Sequence, residues 1–402
     1  MRKWTARHHA RAQISMLLGA FAVAGANFAV GCSGDRLLQP SSDGDVTLST
    51  PEFSDASLGH PVPIDFATYE KSNQVVHPAV ASFPSAWHGQ RVWLALTPYP
   101  NGDSHVENPS LYASASGDVF SVPTGITNPV ATTSRGYLSD PDLAYDPAAD
   151  ELRMYYREVV ESRRGREKPK HRADIVYLTR SKDGINWSPA MPVVTDMGRF
   201  VVSPAVARQS DNDWKMWAVD AGHTGCAAKH TQIVLRRSLD GVTWSAPTPV
   251  AFTQPGYLAW HLDVQYVPAF NAYWALVAAY PQGMSCTASS LFLATSIDGM
   301  HWTTYASPAV PRGAIAQFSA NVYRSTFAFE PDGDALTIWL TGATTVKRRN
   351  HRKPPELRWT AAVWHTHREA LLQHVRTERK TFSPVDSEPS FLRRLAIENA
   401  LP

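Results

Sequence analysis

Acids, imidazoles, arginines and aromatics gather at a few places in this 402-residue chain, each beside a short apolar run. Ser139-Asp140-Pro141-Asp142 and Trp260-His261-Leu262-Asp263 each carry two polar groups at a spacing of two, which puts both on one side of a strand. His77-Pro78, Ser203-Pro204 and Tyr323-Arg324-Ser325 open three further runs. Other runs are joined by Thr97-Pro98-Tyr99-Pro100 with Glu107-Asn108-Pro109, by Arg157-Glu158, by Asp220 with His223, by Tyr280-Pro281, and at Thr341. Carboxylates beside imidazoles suit acid–base work, and arginines hold anionic groups. Tyr99 and Trp260 offer faces on which a sugar ring stacks. Each residue also has a duller reading. Asp-Pro and Glu-Asn-Pro are common turn and strand-entry sequences, and Glu158 can simply pair with Arg157.

What must position these groups is a repeat. Ser181-Lys182-Asp183-Gly184-Ile185-Asn186-Trp187 returns as Ser238-Leu239-Asp240-Gly241-Val242-Thr243-Trp244 and as Ser296-Ile297-Asp298-Gly299-Met300-His301-Trp302, at spacings of 57 and 58 residues. A degenerate copy runs from Ser114 to Phe120. Asp-Gly supplies a left-handed turn, and a fixed period of this length signals one repeated supersecondary unit. These turns therefore read as folding hardware. Short alternating or apolar runs between turn signals give an all-β chain, a five-bladed β-propeller of four-stranded antiparallel blades, spanning 61–370. The fifth blade lacks the Ser-x-Asp-Gly turn, and a segment around Ile64–Tyr69 is expected as its outer strand. In that architecture the starts of the innermost strands and the loops between second and third strands share one face. The chemistry-bearing residues above then converge on one axial depression.

The formal net charge of +2 gives no reason to expect nucleic acid, and no motif for it is visible. Arg2, Lys3, Arg7 and Arg11 precede an apolar span from Ile14 to Val30, which reads as an export signal over residues 1–31. Ala29-Val30-Gly31-Cys32 is similar to a bacterial lipobox, so Cys32 is the expected lipidation site and the cell envelope the expected location. An ordinary signal peptide or a signal anchor are the alternatives. Residues 32–60 read as a flexible tether, and 371–402 as an extension that packs on the propeller or frays, with helical spacing near Phe391–Ile397. Cys226 and Cys286 fall in equivalent loops of neighbouring repeats, and an exported compartment permits their disulfide. Two separate thiols are the alternative.

Two basic loops, Arg163–Arg172 and Lys347–Lys353, lie on the same expected face and would draw an anionic polymer, unless they are merely solvated charge. The chain resembles the five-bladed propeller glycoside hydrolases, the arabinanase, xylosidase, invertase and mannosyl-phosphorylase group. The resemblance rests on Ser139-Asp140-Pro141-Asp142, Arg153-Met154-Tyr155-Tyr156-Arg157, Glu107-Asn108-Pro109 and the Ser-x-Asp-Gly-x-x-Trp turns, over residues 75–365. It implies an enzyme that cleaves a glycosidic bond with paired carboxylates, Asp140 as base and Glu107 as acid, tuned by Asp263 or Asp220. Tyr99, Asp142, Arg157, Trp260, His261 and Arg324 are the expected contacts to an oligo- or polysaccharide. A phosphorylase variant would use Arg157, His261 and Arg324 for phosphate. Asp and carbonyl oxygens in the channel would suit Ca²⁺, although no spacing demands it. His77, Ser203 and Arg324 stand where the group places acids, which favours a second reading, a non-catalytic carbohydrate-binding or surface-interaction propeller.

Overall fold

A computed structural model of the chain describes residues 58–162, 171–346 and 356–376. The export signal, Cys32, the tether, most of the first basic loop, all of the second and the tail helix expected near residue 391 lie outside those residues. No described helix is long and apolar enough to cross a membrane.

Five antiparallel sheets follow one another along the chain. Blade one holds Val75–Trp87, Gln90–Pro98 and Ser110–Ser114, with an isolated bridge from Ala113 to Ser121 where an outer strand would lie. Blade two holds Gly136–Asp146, Glu151–Ser162, His171–Ser181 and Met191–Met197. Blade three holds Val201–Ser210, Asp213–Asp220, Gln232–Ser238 and Thr248–Pro249, and blade four Tyr257–Val267, Ala272–Pro281, Ser290–Ser296 and Thr303–Thr304. In blade five the inner strand is split into Asn321–Val322 and Thr326–Phe329, followed by Ala335–Val346 and Glu356–His367. Its outermost strand is Val62–Ile64, paired antiparallel to Ala361–Val363. The closing strand thus comes from the N-terminal side, as expected, but two residues earlier, because Phe66 is buried with Tyr112 of blade one instead.

The repeated turns are knitted in one way. Asp183 Oδ1 accepts the backbone N–H groups of Ile185 (2.8 Å) and Asn186 (2.7 Å), and Asp240 and Asp298 do the same two and three residues on. Each turn then caps a large ring in the second strand of the preceding blade. Tyr155 Oη donates to Gly241 O (2.8 Å), Trp217 Nε1 to Gly299 O (2.8 Å), and Trp339 of blade five to Gly117 O of blade one (2.8 Å), which closes the ring. Gly184 lies so close over Trp93 that an added Cβ would overlap the indole, and its φ of 73° already calls for glycine. A short helix not foreseen from the sequence, Arg368–Arg376, buries Leu371, Leu372 and Val375 against blades four and five. Cys226 and Cys286 form a disulfide, with Cα atoms 5.0 Å apart, joining loops of blades three and four.

Candidate active site

Five equivalent backbone positions ring the near end of the channel: His77, Asp140, Ser203, His261 and Arg324, at spacings of 63, 63, 58 and 63 residues. His77, Asp140 and Ser203 share left-handed backbone, with φ of 57°, 50° and 60°, and each is followed by proline. The ladder shifts register there, between Val76 and Ala79, between Ser139 and Asp142, and between Ala259 and His261. A bulge re-aims one side chain, and proline fits it because no ladder bond is asked of its nitrogen. Left-handed backbone at a non-glycine residue costs about 1–3 kcal/mol. Here His77, Asp140 and Ser203 carry that strain at the positions that face the axis.

Three of these side chains meet. His77 Nε2 lies 3.3 Å from Asp140 Oδ1, and His261 Nδ1 lies 3.4 Å from the same oxygen. All three residues are buried. His77 Nε2, Asp140 Oδ1 and both ring nitrogens of His261 have no hydrogen-bond partner among the described residues. Buried polar atoms without partners are costly and rare in native proteins. Ligands held about 2.0–2.2 Å from one ion stand roughly 3–3.5 Å apart, so these separations fit a shared cation.

The surroundings fit as well. Glu107 Oε2 accepts Ser139 Oγ–H (2.6 Å) and lies 3.3 Å from His77 Nδ1. Thr97 Oγ1 (3.2 Å) and Ser139 Oγ (3.4 Å) also meet Nδ1, and a carboxylate beside that nitrogen favours the Nδ1–H tautomer, in which Nε2 is a lone pair, the usual support for a metal-binding histidine. Asp140 Oδ2 accepts Arg157 Nε–H (2.8 Å), and Arg157 continues to Asp174 (3.2 Å). Burial alone would raise the Asp140 carboxyl. Facing His77, Arg157, His261 and Arg324, of which the two guanidiniums are the standing charges, outweighs burial and holds it well below the usual carboxylate range. Burial pushes His261 well below its ordinary value despite Asp140, so its ring stays neutral and able to bind a cation. Two imidazoles and one carboxylate suit Zn²⁺, Mn²⁺, Co²⁺ or Ni²⁺. Ca²⁺, which the sequence permits in the channel without demanding it, is bound in sites of about six to eight oxygens.

Aromatic rings wall the cluster. Tyr323 packs edge-on to His261 at 4.4 Å and accepts Trp260 Nε1–H (3.2 Å). Trp359 packs on Tyr323 (4.9 Å) and on Tyr99 (5.2 Å). Burial, then Glu107, raises the Tyr99 hydroxyl above its ordinary value, so it stays protonated.

Of the residues expected to act, Asp140, Glu107, Arg157, His261, Tyr99 and Trp260 assemble here. Glu107, expected as a free acid, is committed to His77 and Ser139. Asp142, Asp263 and Arg324 sit together on a second tier further along the inner strands, where Arg324 Nη2 donates to Asp142 Oδ1 (2.8 Å) and stands 3.9 Å from Asp263. Burial raises both carboxyls above the usual carboxylate range, and the Arg324 guanidinium opposes that rise. Asp220 is not at the cluster: its carboxylate pairs with the half-exposed Arg199 (2.7 Å) on the rim of blade three. His77, given no role by the sequence reading, is central, and Tyr323, Trp359 and Asp174 join it. The opposite mouth of the channel opens into a cavity of about 450 Å³ lined by Leu143, Val206, Phe327, Arg91 and Glu330, and no expected site residue lines it.

The fold is an all-β propeller of the kind seen in glycoside hydrolases. No protein-family model matches the chain. A curated N-acetyl-α-D-galactosamine deacetylase of type A blood, from Flavonifractor plautii, is 27% identical over 336 residues, covering 69% of this chain; the chain spans 42% of that protein's length. The crystal structure of an N-acetylgalactosamine deacetylase from F. plautii, in complex with blood group B trisaccharide, superimposes with a TM-score of 0.69 at 23% identity, covering 81% of this chain and 99% of that one. The catalytic domain of an α-L-arabinofuranosidase from Coprinopsis cinerea matches with a TM-score of 0.50 at 12% identity, covering 77% of this chain and 96% of that one.

Proposed function

We propose that this chain is a metal-dependent N-deacetylase acting on an N-acetylated amino sugar of a glycan. The observation that carries the reading is the convergence of unpaired, buried His77 Nε2, Asp140 Oδ1 and His261 nitrogens on one point. The reaction adds water to the acetyl carbonyl carbon, breaks the carbon–nitrogen bond, and releases acetate and a free amine. His77, Asp140 and His261 would hold a divalent cation, which would supply Lewis-acid polarisation of the carbonyl and activation of water. The protein's own groups fix the geometry. Glu107 favours the Nδ1–H tautomer of His77, and Arg157 holds Asp140 in one rotamer and ionised. Tyr99, Trp260, Tyr323 and Trp359 keep bulk water away and present ring faces to a sugar. The F. plautii relative supports the amide bond as target. An exported, envelope-anchored location suits an enzyme of displayed glycans, and the Cys226–Cys286 disulfide is in keeping with an oxidising compartment.

A glycosidase remains the second reading, because Glu107 and Asp140 both contact His77. One assay separates the two. Purified protein is incubated with an N-acetylgalactosamine-terminated oligosaccharide, and acetate and free sugar are measured with EDTA and after adding back Zn²⁺, Mn²⁺ or Co²⁺. Acetate release that chelation abolishes and metal restores supports the deacetylase. Metal-independent release of free sugar overturns it in favour of the glycosidase, and binding without either product leaves a carbohydrate-binding propeller.

A further inference from the structure

Arg324 occupies the fifth of the equivalent positions, yet it points away from the cluster and down the axis. Its side chain is fully buried. Nη1 donates to Pro141 O (2.9 Å), and Nη2 to Asp142 Oδ1 (2.8 Å) and Pro204 O (3.3 Å). Those two prolines immediately follow Asp140 and Ser203, the bulge residues of blades two and three. The bulges remove these carbonyls from the ladder, and one planar fork from blade five collects them. Ser203 extends the grip. Its N–H donates to Asp140 Oδ2 (3.3 Å), and its hydroxyl donates to Leu262 O (2.9 Å) and accepts Leu262 N–H (3.2 Å), the residue after His261. Arg324 itself is held from behind by Thr341 Oγ1–H on its carbonyl (2.6 Å).

We propose that Arg324 is the positioning residue of the metal site: from blade five it fixes the spacing between Asp140 and His261, two ligands it does not hydrogen-bond. The proposal rests on the metal-site reading above. It gives the split inner strand of blade five a purpose, since the break between Val322 and Thr326 is what lets Arg324 reach across the channel.

The test uses the full chain with Co²⁺ as probe, read by its visible d–d band and by competition with a chromophoric chelator. Arg324→Met and Arg324→Lys are expected to bind Co²⁺ about 10–100-fold more weakly with a shifted band, as for other groups that orient ligands. Lysine keeps the charge but not the fork, so it rescues only in part. Lys215→Met removes a buried cation between blades three and four, away from the axis, where Nζ meets Asp213 and Tyr273. It is expected to lower Tm while leaving Co²⁺ affinity and band unchanged. Folded Arg324→Met with the wild-type affinity and band overturns the positioning role while leaving the metal site standing. Should that variant not fold, the same result in Arg324→Lys overturns it. A wild-type chain that takes up no Co²⁺ removes the metal reading, and this proposal with it.

Discussion

At the rim of the propeller, Asp183, Asp240 and Asp298 accept the same two backbone N–H groups in three successive blades, from three near-identical turns. At the axis, five equally repeated positions carry His77, Asp140, Ser203, His261 and Arg324. The backbone recurs in both regions, but only the rim repeats its side chains. Every acceptor of the rim aspartates has a donor, whereas among the described residues five buried atoms at these axial positions, His77 Nε2, Asp140 Oδ1, both ring nitrogens of His261 and Arg324 Nε, have none. A recurring backbone with constant side chains is there to fold. A recurring backbone whose side chains have diverged, and whose polar atoms are left unpaired, is there to hold something else.

The comparison is broken most directly at the axis. His77→Ala and His261→Ala should each lower metal loading and acetate release roughly 10³-fold, equivalent to about 4 kcal/mol, with Tm in chelator nearly unchanged. Metal analysis and acetate assays read this, and wild-type Zn²⁺ uptake in both variants would remove the site. At the rim the effect should invert. Gly184→Ala should cost about 2–3 kcal/mol through the clash with Trp93, while activity per folded molecule is kept. Denaturant titration checks it, and an unchanged midpoint would mean the turn can shift without loss. Glu107→Gln lies between, since it loses the carboxylate behind His77 but keeps its shape. Metal affinity should fall about 10–100-fold with little change in Tm. The smallest effect is acidic. Although burial opposes it, the N–H groups of Thr243 and Val242 bring Asp240 down to about 2, and Asn186 and its neighbours depress Asp183 further. A carboxyl lowered in the folded state stabilises above the unfolded value of about 3.9, and that contribution is lost as pH falls toward about 2. Tm measured from pH 5 downward should fall less steeply in Asp240→Asn than in the wild type.

The blades were legible because turn chemistry is local. Asp-Gly, the following Trp and the apolar runs lie within a few residues of each other, and the structure places strands where those runs stand. Asp140 with Asp142 and His261 with Asp263 were legible as same-side pairs through strand alternation. What alternation cannot convey is depth, so Asp142 and Asp263 were grouped with residues a tier above them. Asp220 stands at the right loop but turns to Arg199, a choice fixed by a neighbour 21 residues away. The His77–Asp140–His261 cluster was hidden for a related reason. Metal motifs are recognised by short spacing, and these three residues come from three blades, joined only by the ring. Their one sequence trace is positional, an imidazole or acid at matching places in the first, second and fourth repeats, twice followed by proline. The Arg368–Arg376 helix was missed because its three apolar residues, Leu371, Leu372 and Val375, make too short a pattern to stand out.

Val62–Ile64, the outer strand of blade five, couples the ring to the order in which the chain is made. Its partners, Ala361–Val363, are synthesised about three hundred residues later, and Trp364 likewise reaches back to Leu58 O (2.7 Å) across 306 positions. Blades two to four can assemble as they emerge, but the seam cannot. Until the last blade is complete, an exposed strand edge persists at each side of the gap, and such edges invite pairing with other chains. Closure therefore waits until Glu356–His367 has been made. A chain cut short there would carry the residues of the cluster without the strand that locks them into a circle.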